Sequence, residues 1–447
     1  MVLMLISVTS LLFVLINLKL SNNDVFAPSV VFPAMFFVQA ITCLFALTYL
    51  DLKFNAETLI ILNISYFIFT FSTLLFKKIY PLKLSSKVTI DELFIPKIIR
   101  FLIIILFIVI IIFQYQRLNK IASAIGISGA SLGEKISQFD LLIKFFPKKF
   151  AQIGIYLPKI ISELIPIVQA FGYVIAYKFV NNFVKTKKFE IIDIVIISLF
   201  IVQLYFSGSR SPIFRLFTFI IVIYYFITTK SNMNKEQINR VVRKIILFAI
   251  LLLIIFVASL NLFGRTNNYN GFHYLFIYLG APLYNLSTFI SSTSVPVQQE
   301  YFGQQTFISF YNYILPKFGL ETITLDIPFV RYNGMYGLGN VYTTFYQFLY
   351  DFGAIGVPIF ISIIAVYFSN NYFFTKVQRE EKMKFSLSLF IYAYLFNDLI
   401  MLIFSNRFYE TILHVSTLKL LFWVFIIKST IIDKGFKIGK YKIVFNQ

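Results

Sequence analysis

Apolar runs about twenty residues long recur from one end of this 447-residue chain to the other, and no Pro/Gly/Ser-rich linker separates them. A helix needs about 20 predominantly apolar residues to cross the hydrocarbon of a bilayer. Inside that layer only helices and closed barrels satisfy their own backbone hydrogen bonds. Composition points the same way, since 13% of the residues are charged against about 25% in a soluble domain. The expected fold is all-α: a polytopic integral membrane protein with about eleven transmembrane helices, forming a single transmembrane domain over 1–447. The expected spans are 2–18, 26–50, 57–76, 97–115, 152–177, 190–206, 211–229, 245–263, 342–369, 385–404 and 408–427. The first run, Met1 to Leu18, has no basic start and no small-residue cleavage motif, so it is expected to be a span and not a signal peptide. The single cysteine, Cys43, can form no internal disulfide and no Cys-based metal site.

The net charge is +20, which in a soluble chain would suggest a nucleic-acid partner. Here the position of the charges gives a different reading. Sorted into alternate connections between spans, one set carries 25 Lys/Arg and the other 12. Cytoplasmic loops retain more of these residues, so the first set is expected inside, with the C-terminus cytoplasmic and the N-terminus outside. The partner is then the lipid bilayer, not a nucleic acid. Residues 264–341 become one large extracytoplasmic loop. One connection, 116–151, has six Lys/Arg on the less basic side: it is either a functional cationic surface or a misplaced span.

Ionisable residues at membrane depth are costly and mark function by default. Most of those here fall in the outer half: Lys159 and Glu163, Gln203, Asn261, Arg210 and Arg215, Gln347 and Asp351, Asn397 and Asp398. Arg407, Glu410, Thr411 and His414 follow at i, i+3, i+4 and i+7, one face of a continuous helix. The inner half offers Asp193 and Lys419, each near a helix end. A transporter would place its polar site near the midplane, whereas this distribution describes a chamber at outer-leaflet depth. Plainer readings stand beside these. Lys159 and Glu163 could form an i, i+4 ion pair, Arg407 could clasp Glu410 or Asp398, and His273 could be a packed or solvated loop residue.

Ser207-Gly208-Ser209-Arg210-Ser211-Pro212 sets small hydroxyls, a glycine and a cation at the mouth of a helix, an arrangement suited to phosphate oxygens. In the long loop, Tyr274 to Ile290 reads as an amphipathic interfacial helix. The Gly-rich stretch Arg331 to Asn340 holds Tyr332 and Tyr336 at a spacing suited to stacking on sugar faces, with Tyr342 just beyond. There is no phosphate-binding P-loop, and the two histidines stand more than a hundred residues apart, so no local metal motif exists. The chemistry is expected to use an already activated substrate, with no cofactor and no metal.

Two of these segments carry a resemblance. Gly339-Asn340-Val341-Tyr342-Thr343-Thr344-Phe345-Tyr346, continuing through Asp351-Phe352-Gly353-Ala354-Ile355-Gly356, resembles the passage from the large loop into the next span in the Wzy-type polymerases of bacterial surface polysaccharides, relatives of the O-antigen ligases. The Ser-Gly-Ser-Arg-Ser stretch ending at Ser211 resembles their short arginine loop before a span. The resemblance covers about residues 95–425. Where the ligases carry a His-Asn pair, this chain has Tyr342-Thr343, which favours polymerase over ligase. The resemblance implies an undecaprenyl-pyrophosphate-linked oligosaccharide substrate at the outer face of the bacterial cytoplasmic membrane, and a flippase and a chain-length regulator as pathway partners. Releasing pyrophosphate calls for cations at leaflet depth: Arg210 and Arg265 first, then Arg331 and Arg407. Asp351, His414 and Glu410 are the candidates for activating the acceptor hydroxyl, and Tyr332, Tyr336 and Tyr342 for holding glycan. A lipid-linked oligosaccharide flippase and a non-catalytic membrane scaffold are the rival readings.

The charge partition predicts that a C-terminal reporter will report cytoplasm and that a tag inserted at residue 300 will be labelled by an impermeant reagent on intact cells. Protection of that tag would contradict the assignment.

Overall fold

The computed structural model describes residues 1–81, 89–230, 236, 239–244, 247, 271–334, 336–377, 382–383, 385–433, 435–438 and 441–444. The helices, in chain order, are α1 (Val2–Leu20), α2 (Pro28–Ala46), α3 (Ala56–Ile79), α4 (Lys97–Ala124), α5 (Leu132–Phe145), α6 (Pro147–Ile153), α7 (Lys159–Thr186), α8 (Ile191–Tyr205) and α9 (Ser211–Lys230). They continue with α10 (Gly271–Leu279), α11 (Ala281–Ser292), α12 (Ile308–Ile314), α13 (Phe345–Val377), α14 (Leu387–Ile400), α15 (Arg407–Ile412) and α16 (Val415–Ile427). Among the described residues, eight helices are long and apolar enough to cross a membrane: α1, α2, α3, α4, α7, α9, α13 and Val415–Ile432. Ile191–Tyr205 and Leu387–Ile403 are shorter apolar helices. The chain is therefore an all-α membrane protein. The expected span 245–263 lies, apart from Leu247, outside the described residues.

The chain divides into two compact units, each assembled from three stretches. The first holds Met1–Leu84, Tyr269–Gln378 and Leu395–Val415. Its core is aromatic: Phe32 stacks on Phe69 at 4.2 Å, and Phe36 reaches Phe345 at 5.6 Å. Buried hydroxyl and amide groups tie the helices, with Ser10 and Tyr66 hydroxyls 2.8 Å apart and Asn17 Nδ2 donating to Thr70 Oγ1 at 2.9 Å. Such bonds help hold helices together where lipid offers no hydrophobic drive between them. At one end of this unit, Asp24 accepts from Tyr372 at 2.5 Å and pairs with Lys376, and Lys77 donates to the Leu20 carbonyl. At the other, Asn55 N–H donates to Ser287 Oγ at 2.7 Å and Tyr332 bonds the backbone of Asp51. Within the unit, connections assigned by charge to one side thus meet at one end.

The segment Tyr274 to Ile290, expected as an interfacial amphipathic helix, is instead two helices. Gly280 separates α10 from α11, with Phe276 and Cys43 so close that a side chain there would collide. Leu283, Asn285, Leu286 and Phe289 of α11 are buried within the unit.

α13 contains a break. Gly353 has φ 63° and ψ −158°, a conformation that is essentially glycine-only. A helix would cap the Tyr350 carbonyl with its own amide; here Val297 N–H of the long loop takes it at 2.8 Å. Pro296 fills the notch, and a Cβ on Gly353 would sit 3.1 Å from its Cδ.

The second unit holds Ser85–Asn268, Arg379–Tyr394 and Ser416–Gln447. Tyr173 of α7 is its aromatic hub, 5.1 Å from each of Phe200, Phe219 and Tyr394. Arg100 and Lys178, both buried, share two carboxylates. Asp193 receives Arg100 at 3.1 Å and Lys178 at 2.5 Å, and Glu190 is bonded by both cations. Removing one member of such a buried set costs about 3–5 kcal/mol, because its partners stay desolvated. The expected loop 116–151 is mostly helical. α4 runs on to Ala124, and α5 starts on a capping box in which Ser131 and Glu134 bond each other's backbone. The Ser131 backbone N–H, with its hydroxyl, holds the Glu134 carboxyl below its ordinary range.

Gly353→Ala is predicted to destabilise the first unit by about 1–3 kcal/mol and to lower the thermal midpoint of the protein in lipid nanodiscs. Gly129→Ala, where a Cβ meets nothing within 4 Å, should leave it unchanged; equal midpoints for both would contradict the break.

Candidate functional site

Of the polar residues expected to line a chamber, Gln347, Asp351, Asn397, Asp398, Arg407, Glu410 and Thr411 belong to the first unit, where loop residues 303–307, the first two turns of α13 and residues 402–411 meet. Lys159, Glu163, Gln203, Arg210 and Arg215 belong to the second, and Asn261 lies outside the described residues. Backbone and side-chain bonds knit the three segments of the first unit together. Thr344 N–H donates to the Leu402 carbonyl at 2.9 Å. Asn406 Nδ2 donates to the Thr306 carbonyl at 3.1 Å, and Thr306 Oγ1 to the Gln347 carbonyl at 3.2 Å. Asp351 accepts Gln305 N–H on Oδ1 at 3.2 Å and Thr306 N–H on Oδ2 at 2.6 Å. With each oxygen engaged by a backbone amide, Asp351 positions the loop.

Arg407 opens α15, and its guanidinium lies 3.3 Å from Glu410, with side chains 33% and 18% exposed. The clasp reading therefore holds for Glu410. Asp398 accepts from Thr411 at 3.1 Å. Around this pair, several buried polar atoms have no hydrogen-bond partner: Gln347 Oε1, Asn406 Oδ1, the Thr343 and Thr344 hydroxyls, and Arg407 Nε. A buried polar atom left unpaired costs about 1–3 kcal/mol, and such atoms occur in both units, at Asn17 Oδ1 and Arg100 Nε among others.

His414 departs from expectation. The face shared by residues 407, 410, 411 and 414 requires an unbroken helix, but α15 ends at Ile412 and α16 starts at Val415. His414 sits exposed in that break while Thr411 turns inward. Lys159 does not pair with Glu163, which instead takes Lys419 at 2.6 Å in the second unit.

The tyrosines divide. Arg331 and Tyr336 are exposed on a hairpin of Val330–Tyr332 and Tyr336–Gly339, turned through Asn333 and Gly334, both with positive φ. Tyr332 faces Tyr336 across it and anchors to Asp51, accepting its N–H at 2.9 Å. Tyr342 is only 5% exposed and donates to the Pro328 carbonyl at 3.0 Å. It begins a ladder with Tyr346, which donates to the Asp326 carbonyl at 2.6 Å, and Tyr350, which donates to the Asp326 carboxylate. A ring so enclosed offers no face to a sugar, so the expected glycan role of Tyr342 is replaced by that of a fastener for loop residues 326–328.

Arg210 belongs to the second unit, 7% exposed, just before α9. The left-handed Gly208 beside it packs against Asp140, whose Cβ lies 3.2 Å from where a Cβ on that glycine would stand. At the helix mouth Ser207 is exposed and Ser209, Ser211 and Pro212 are half-buried. Arg265 lies outside the described residues. Among the described residues no three His, Cys, Asp or Glu side chains come together as a metal site.

Sequence reading missed Gln305, Thr306 and Asn406, uncharged residues whose importance comes from backbone bonds. It also missed the Arg100, Lys178, Glu190 and Asp193 network, although opposite charges at the ends of successive spans were its visible signal. Comparison with known proteins yielded no matching family model, no matching curated protein and no matching solved structure.

Proposed function

We propose that the protein is a membrane polysaccharide polymerase that joins undecaprenyl-pyrophosphate-linked oligosaccharide repeat units on the outer face of the bacterial cytoplasmic membrane. In this reading it has eleven spans, 245–263 included, and a cytoplasmic C-terminus. The observation that carries the proposal is the half-buried Arg407–Glu410 pair, tied through Asn406 and Thr306 to Gln347 of the loop-to-span segment that resembles the Wzy-type polymerases.

The reaction breaks the bond between the anomeric carbon of the growing chain and its pyrophosphate oxygen. It forms a bond from that carbon to a hydroxyl of the incoming unit. Pyrophosphate leaves as an anion on its lipid, and the hydroxyl proton passes to a base. Arg407 is suited to the leaving anion, since a guanidinium can bind two phosphate oxygens at once. Glu410, held by Arg407, is the carboxylate we assign to accept the proton, and His414 is the alternative. Arg331, Tyr332 and Tyr336 on the exposed hairpin would take the glycan. The pyrophosphate bond supplies the free energy, so neither nucleotide sugar nor ATP is required.

A flippase would move the same lipid without making a glycosidic bond. The two readings separate in one assay of the purified chain in lipid vesicles with synthetic lipid-linked repeat units and a chelator present. Elongation with release of undecaprenyl pyrophosphate is expected, and Arg407→Lys, which keeps the charge but loses the fork, should slow it by about tenfold or more. Transbilayer movement without new glycosidic bonds, or full activity in Arg407→Lys, would remove this assignment.

A further inference from the structure

The α5–α6 segment carries the cationic excess that the sequence placed on the less basic side. Its inner face packs within the second unit: Ile136, Phe139 and Leu142 bury against Leu118 and Ile121 of α4. The Arg117 guanidinium lies over the Phe139 and Phe150 rings at 5.0 and 5.6 Å and donates to the Ile155 carbonyl. That cation is thus part of the packing.

The outer face is different. Leu141, Ile143, Phe145 and Phe146 are all exposed, Phe146 by 56%. Lys148 and Lys149 are exposed beside them, as is Lys144, which pairs with Asp140 at 2.7 Å. The phenylalanines and lysines alternate along one short stretch, and spanning helices α4 and α7 flank it. A polyanion in water would use the lysines and leave the phenylalanines hydrated. A bilayer surface uses both: apolar side chains enter the boundary of headgroups and acyl chains, while lysine stems reach back to phosphate.

We infer that the α5–α6 face lies in the headgroup layer of a bilayer containing anionic phospholipid, with Phe145 and Phe146 below the phosphates and Lys144, Lys148 and Lys149 among them. This surface is independent of the polymerase reading. It turns the apparent charge anomaly of 116–151 into a lipid contact.

The chain has one tryptophan, so a reporter is simple to place. Trp423→Phe with Phe146→Trp, full length, would be reconstituted in phosphatidylcholine vesicles with and without phosphatidylglycerol. The expected result is blue-shifted emission, quenched by lipids brominated near the headgroup end of their chains and more strongly so with phosphatidylglycerol. Lys144→Gln, Lys148→Gln and Lys149→Gln together should abolish that dependence on anionic lipid. Phe145→Trp reads the same surface if the first variant fails to fold. Emission typical of water, quenched by acrylamide alike in both vesicles, would overturn the inference. So would protection that appears only on adding soluble polyphosphate, which would mean a polymer partner.

Discussion

Two backbone amides of the long loop, those of Gln305 and Thr306, end on the carboxylate of Asp351. Hydrogen bonds to a charged group contribute about 1.5–3 kcal/mol each, enough to fix the position of a loop. Two residues further on, Gly353 breaks α13 and releases the Tyr350 carbonyl, which the same loop caps through Val297. Asp351, Gly353 and Gly356 therefore act as one device. Gly356 completes it, since a Cβ there would stand 2.6 Å from the Phe348 carbonyl. The Tyr342, Tyr346 and Tyr350 ladder then fastens residues 326–328, and Thr306, thus fixed, receives Asn406 and orients the Arg407–Glu410 pair. The loop is a folded wall of the candidate site.

The second unit solves a different problem. Arg100 and Lys178 are paired with Glu190 and Asp193. In the first unit the Arg407 neighbourhood retains buried polar atoms without partners.

Helix positions were legible from hydrophobic length alone: α1, α3, α8 and α9 lie within two or three residues of the expected spans. The composition of residues 347–411 also marked the candidate site. What failed to read through depends on backbone geometry. The face expected for Arg407 through His414 assumed a continuous helix, but the chain breaks after Ile412, and periodicity holds only while the helix does. Tyr342 looked like a sugar platform because a tyrosine between glycines and a span carries no sign of burial. That Asp351 positions the loop did not read through because its partners are backbone amides, which every residue has and no sequence displays. The 116–151 connection looked anomalous because a charge count does not separate Arg117, packed on the Phe139 and Phe150 rings, from the exposed Lys144, Lys148 and Lys149.

The central claim is that Asp351 holds the loop that builds the site. Hydrogen exchange at the Gln305 and Thr306 amides, measured in nanodiscs for the wild-type chain and for Asp351→Ala, tests it directly, since exchange reports local opening of individual amides. Fast exchange in the variant at those two amides, with α13 still protected beyond Gly356, is the predicted result. Unchanged protection at Gln305 and Thr306 would contradict it.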